Sequence, residues 1–190
     1  MSTAPVGHHL TWKEFLELPD DPRYHHAELL DGELLIANAA TWLHQRVVNR
    51  LVIAIGTWCD AVPGRGEVTT DPPVRITDRR AYLPDVAWYA DGRDRPAPGE
   101  PYLVGAPDLA IEVLSPSTRT HDQIRKRTDY ARVGVREYWL IDPEEPVAYL
   151  LRRAGAEVTE FVEAAEITAE GVFSSPLLPG LEIPFSSLLP

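Results

Sequence analysis

Three side chains in the middle of this 190-residue chain could share one chemistry: Asp85, Glu112 and Lys126. Asp85 follows Pro84 and opens the apolar run Val86-Ala87-Trp88-Tyr89. Glu112 interrupts a second apolar run, from Ile111 to Leu114. A carboxylate inside a buried strand is costly unless it is paired or bound to a cation. If the two strands are neighbours, both carboxylates reach one end of a sheet, where they repel each other and need a positive partner. A hard divalent ion with oxygen ligands, Mg²⁺ or Mn²⁺, suits them better than zinc, since the chain has a single cysteine, Cys59. Such an ion polarises a phosphoryl oxygen and lowers the pKa of a bound water. A nearby ammonium orients that water or offsets charge developing on a phosphate. The chemistry implied is metal-assisted hydrolysis of a phosphodiester. Each residue also has a plainer reading. Pro-Asp is a common turn dipeptide, Glu112 could pair with Arg119 or Arg125, and Lys126 stands four residues after Asp122, the spacing of a helical surface pair.

The elements that must position these groups are legible from pattern. Ile111 to Leu114 reads as a buried strand that Ser115-Pro116-Ser117 ends, because proline cannot continue a ladder. Thr120 with Gln123 is a capping-box signal, which starts a helix near His121, and Gly134 closes it. Val135 to Ile141 is β-branched and aromatic enough to be the next strand. Upstream, Thr11 and Glu14 cap a short helix that ends by Pro19, and Asp31-Gly32 joins Ala27–Leu30 to Glu33–Ala37 as a hairpin. Leu43, Val47, Leu51, Ile55 and Trp58 mark one face of a long helix over about 41–60, with His44 beside the stripe. Glu67 to Ile76 is an extended segment broken by Pro72-Pro73, which suits a sheet edge. Tyr82 to Tyr89 is expected as one strand with Asp85 near its start, and Asp91 to Gly105 as an exposed loop. Ala148–Arg152 and Glu157–Glu163 are expected as a further hairpin, and Phe173 to Pro190 as a segment packed across the body. The order predicts a mixed α/β fold, with a central mixed sheet flanked by helices.

Composition bounds the rest. The length suits one domain spanning residues 1–190, with a core over about 27–142 and a C-terminal extension over 143–190. No leader and no long apolar run is visible, so a cytoplasmic chain without a membrane partner is expected. The net charge of −11 argues against a nonspecific nucleic-acid coat. The acidity lies in the flanks, while Arg125, Lys126, Arg127, Arg132 and Arg136 form a local basic cluster. The chain holds only two lysines, Lys13 and Lys126, which singles out the second.

Pro84-Asp85 followed by Glu112-Val113-Leu114, in an α-β-β-β-α-β order, resembles the PD-(D/E)XK nuclease superfamily. More narrowly, the chain is similar to the Uma-type family of restriction-endonuclease-like proteins. The likeness is carried by TWKEFLELP, AELLDGEL, His44, PDVAW and IEVLSPST, and by Lys126, Tyr130, Gly134, Val135, Glu137, Tyr138, Trp139 and Asp142 in order. The tail from Ser175 to Ile183 resembles the family's ending as well. The resemblance implies a restriction-endonuclease-like core and a Mg²⁺- or Mn²⁺-dependent endonuclease acting on DNA, working as a homodimer. It implies that Asp85 and Glu112 bind the metal, with the Val113 carbonyl assisting. Leu114 stands where the E-x-K pattern has its lysine, so Lys126 from the next helix is the expected substitute. Glu28 and His44 are expected as supporting groups, and Arg119, Arg125 and Arg127 as contacts to substrate phosphates. A nuclease-like fold kept as a binding or assembly module, without turnover, is the reading of another class. A phosphodiesterase acting on a small nucleotide is a third.

Overall fold

The computed structural model describes residues 9–36, 40–92, 105–115 and 122–190. At the N-terminus, helix α1 (Trp12–Leu16) starts on Thr11, with both halves of the capping box formed. Strands β1 (Ala27–Leu30) and β2 (Glu33–Ile36) form the expected hairpin. Its turn residues, Asp31 and Gly32, sit at φ 52° and 91°, the left-handed pair that a two-residue turn of this twist requires. Helix α2 (Trp42–Ala61) begins at Thr41, whose hydroxyl accepts the His44 backbone N–H.

The next segments depart from expectation. Glu67 to Ile76 breaks at its prolines as expected, but the two pieces, β3 (Glu67–Thr69) and β4 (Val74–Thr77), lie at the edges of different sheets. Tyr82 to Tyr89 is also divided, into β5 (Arg80–Tyr82) and β6 (Val86–Tyr89). The prolines at 72, 73 and 84 lie in the breaks between these strands, where a missing N–H costs no ladder bond. The result is a separate four-stranded antiparallel sheet, in the order β2-β1-β5-β4, beside the main sheet.

The main sheet has six strands in the order β10-β9-β8-β7-β6-β3. Strand β7 (Leu109–Val113) pairs antiparallel with β6 and parallel with β8 (Glu137–Asp142). The β7–β8 crossover carries helix α3 (Asp122–Val133), which ends where Gly134 takes φ 104°. Thr120 and the Ser-Pro-Ser turn after Ser115 lie outside the described residues. Strands β9 (Val147–Arg153) and β10 (Phe161–Thr168) form a hairpin, with the second strand starting four residues later than its pattern suggests.

Strand alternation decides what lies on each face. Leu109, Ile111 and Val113 of β7, with Trp139 and Ile141 of β8, pack under α2 through Val47, Leu51, Ile55 and Trp58. The C-terminal segment completes this layer. Phe173 in β11 (Val172–Phe173), Ile183 in β12 (Ile183–Pro184) and Phe185 in α4 (Phe185–Leu188) are buried in the same cluster. The opposite face holds Ala110, Tyr138 and Leu140 under Tyr130 and Ala131 of α3. Glu112 is two residues from Ala110, so it projects toward α3.

Candidate active site

The antiparallel register pairs Val86 with Ile111. One step further along, Asp85 lies opposite Glu112, at the end of the sheet. Asp85 is fixed there by two groups that meet on one oxygen. Val113 N–H donates to Asp85 Oδ2 at 2.7 Å, and His44 Nε2 lies 3.2 Å from the same atom. His44 is buried at the N-terminal end of α2. Burial pulls the basicity of its ring down, but the hydrogen bond and charge of Asp85 outweigh that and leave the pKa raised.

Glu112 is fixed in the same manner. Lys126 Nζ lies 3.1 Å from Glu112 Oε1, and the Tyr130 hydroxyl donates to that oxygen at 3.0 Å. Lys126 and Tyr130 are four residues apart on α3, so both face β7. Lys126 also lies 2.8 Å from Glu28 Oε1, and Glu28 accepts the Leu83 N–H at 3.2 Å. The ammonium sits 5.5 Å from the Tyr82 ring centroid. These groups are nearly dry: Glu112 is 9% exposed and Lys126 8%. Burial alone would favour neutral lysine, yet the charges of Glu112 and Glu28 hold its pKa well above the ordinary value. Glu112 is pushed up to about 8, first by burial, with Lys126 opposing and the charges of Asp85 and Glu28 adding to the rise.

The structure therefore brings Asp85, Glu112, Lys126, Glu28, His44 and the Val113 main chain together at one sheet end. The three arginines do not join them as a group. Arg127 donates through Nη2 to the Phe161 carbonyl at 2.8 Å and so ties α3 to β10. Arg125 is half-buried on α3, and Arg119 lies outside the described residues. Two neighbours carry no mark in the sequence-based site. Tyr130 could have been found from its i+4 spacing to Lys126. Asp71 could not: it takes φ 49°, donates its N–H to the Pro84 carbonyl, and is close enough to Asp85 and His44 for their charges to act on it. Burial, followed by smaller charge effects, leaves its carboxyl raised.

The donor set fits a hard divalent ion in two respects. Glu28 and Glu112 flank one ammonium and Asp85 stands on the neighbouring strand, so three carboxyl groups share a single cation in a nearly dry site. The donors to Glu112 fall on Oε1 and those to Asp85 on Oδ2, so among the described residues Oε2 and Oδ1 receive no protein donor. No three Asp, Glu, His or Cys side chains among the described residues form a ready-made cage. Mg²⁺ is commonly held by one or two carboxylates, with waters and substrate phosphates completing the shell.

Comparison with known proteins bears on the fold and the family. The crystal structure of a protein described as a putative nuclease belonging to DUF820, from Anabaena variabilis ATCC 29413, superposes with a TM-score of 0.76. The two chains are 20% identical, and the match covers 94% of this chain and 97% of the other, which establishes a shared nuclease-type fold. No curated protein matches the chain. Among the described residues, no helix is long and apolar enough to cross a membrane. The family model Uma2, described as "Putative restriction endonuclease", matches residues 12–186, and the chain belongs to that family.

Proposed function

We propose that this protein is a Mg²⁺- or Mn²⁺-dependent endonuclease that hydrolyses DNA phosphodiester bonds with water as the nucleophile. The observation that carries the reading is the meeting of Asp85, Glu112 and Lys126 at one sheet end, with one oxygen of each carboxylate clamped by protein donors. Asp85 and Glu112 would hold the ion, which when bound supplies Lewis-acid polarisation of the phosphate and a more acidic water.

The chain's own groups account for the rest. His44 and the Val113 N–H hold Asp85 in one orientation, and Tyr130 holds Glu112. Flanked by two carboxylates, Lys126 stays an ammonium. It therefore serves as a donor that orients the attacking water and offsets charge on the phosphoryl oxygens, not as a base. Glu28 keeps that ammonium in place when Glu112 turns to the ion. Water attacks phosphorus and gives up its proton to solvent, the P–O bond to the leaving oxygen breaks, and that oxygen takes a proton from solvent. Arg125 is the remaining candidate on α3 for a phosphate contact. Two copies, each cutting one strand, would make a double-strand break, so a homodimer in solution is part of the proposal.

Supercoiled-plasmid cleavage tests the reading. Wild-type protein should nick plasmid with Mg²⁺ or Mn²⁺ and lose that activity with EDTA, while Asp85→Ala and Glu112→Ala should be inactive. Equal activity in all three proteins defeats the proposal. One observation favours a second reading, a binding or assembly module without turnover: Leu114 fills the motif lysine's position, and Lys126 is already engaged by two carboxylates. Calorimetry separates the two, since a chain that binds no divalent ion yet forms a stable oligomer supports the module.

A further inference from the structure

Helix α2 buries one face and leaves the other uncovered. Its solvent stripe carries Trp42, Arg46, Asn49, Arg50 and Ile53, at spacings of four, seven, eight and eleven residues from the first, so they share one side. Trp42 is 69% exposed and belongs to none of the three apolar clusters. Its ring is not bare. The Arg46 guanidinium sits 5.6 Å from the ring centroid and is fixed by a 2.8 Å hydrogen bond from its Nη2 to the Leu189 carbonyl. Arg50 is exposed, and no hydrogen bond or ion pair among the described residues occupies its guanidinium.

Charge and position say what this stripe suits. From Trp42 to Cys59 there is no Asp or Glu, in a chain of net charge −11. The N-terminal end of the helix adds its own positive potential. The same first turn delivers His44 to Asp85 from the buried side, and Trp42, two residues earlier and about 200° round the helix, starts the stripe level with the candidate site but across the helix's N-terminal end from it. A basic or purely apolar partner gains nothing from two arginines. A polyanion with flat aromatic bases matches arginine, tryptophan and helix end together.

We propose that this face of α2 is the track for an unpaired DNA strand that reaches the candidate site round the helix's N-terminal end, with Trp42 as a stacking platform for a base and Arg46 and Arg50 facing backbone phosphates. The inference rests on the nuclease reading and narrows its substrate to DNA with unpaired bases next to the cut, such as a single-stranded or branched form.

The test is binding without turnover. A fluorescein-labelled single-stranded oligonucleotide and its matching duplex are titrated by anisotropy in EDTA across a salt series, using full-length wild type, Trp42→Ala, Trp42→Phe and Arg50→Gln. Single-strand affinity should fall roughly 5- to 150-fold in Trp42→Ala and be largely kept in Trp42→Phe. Arg50→Gln should reduce the salt slope by about one. Duplex binding should be less sensitive to Trp42→Ala than single-strand binding. If wild type binds single strands and both Trp42→Ala and Arg50→Gln bind equally well, the track is wrong and the nuclease reading is untouched. If sedimentation shows that Trp42→Ala turns a dimer into monomers with DNA affinity unchanged, the stripe is an interface between copies and the proposal falls. If the variants behave as expected but neither plasmid nor a single-stranded or branched oligonucleotide is cut with Mg²⁺ or Mn²⁺, the track stands and the nuclease reading fails.

Discussion

Replacing Lys126 with methionine keeps most of the side chain's bulk and removes its charge. The structure sets the size of the effect. The Lys126 side chain is 10% exposed, and its partners Glu28 and Glu112 are 13% and 12% exposed. Deleting one partner of a buried ion pair costs about 3–5 kcal/mol, because the other charge is left uncompensated. Here Glu28 loses its cation and Glu112 loses a donor. In a domain of this size each kcal/mol moves Tm by about 2–4 °C, so Lys126→Met should melt roughly 6–20 °C below wild type in EDTA. A divalent ion that binds the same carboxylates should return part of the loss, about 2.7 kcal/mol at a hundredfold excess over Kd. Adding Glu28→Gln to Lys126→Met should also recover stability, since it removes one stranded charge. Thermal melts followed by circular dichroism measure all of this. A Lys126→Met protein that melts with wild type, and is not raised by Mg²⁺, would refute the charge balance assigned to the site.

Other consequences follow from the same network. Folded Glu112 keeps its proton up to about pH 8, against an ordinary value of 4.5, so the metal-free native state binds more protons than the unfolded chain across that window. Stability should therefore fall as pH rises from about 4.5 to 8, and Glu112→Gln or saturating Mg²⁺ should flatten the Tm profile. Tyr130→Phe removes one of two donors on Glu112 Oε1 and should cost about 1.5–3 kcal/mol in urea unfolding, with the fold retained. Far from the site, Glu137 is 1% exposed and accepts from Arg152 at 2.6 Å, Ser175 at 2.7 Å and Trp139 at 3.1 Å. Glu137→Ala should lose about 3–5 kcal/mol, read as a lower urea midpoint, and should make the C-terminal segment protease-sensitive.

What the sequence makes legible is local. Glu112 stands out because alternation within one short strand cannot hide a carboxylate, and Lys126 because it is one of only two lysines and the family resemblance makes it the substitute for the motif lysine. The caps of α1 and the Asp31-Gly32 turn are written in a few adjacent residues. The second sheet is not legible in that way. Whether the breaks at Pro72-Pro73 and Pro84 interrupt one strand or move the chain to another sheet depends on distant pairings such as Leu29 with Ala81. The same holds for Arg127, whose bond to the Phe161 carbonyl exists because β10 passes α3. Asp71 is hidden for a further reason: a left-handed backbone at an aspartate leaves no compositional trace beyond the prolines after it. The family's Gly-Val-x-Glu-Tyr-Trp run reads as a motif, yet Glu137 within it ties the C-terminal segment to the sheet through Ser175.

The central claim is that Asp85 and Glu112 hold one divalent ion through the carboxylate oxygens that the protein's own donors leave open. Crystals grown with Mn²⁺ test it directly, because the ion announces itself in anomalous scattering. The account predicts a peak against the Asp85 and Glu112 carboxylates, with Lys126 still against Glu28, and no peak in Asp85→Asn. An ion bound elsewhere in a protein that cuts DNA, or no ion at this site at saturating Mn²⁺, would contradict it.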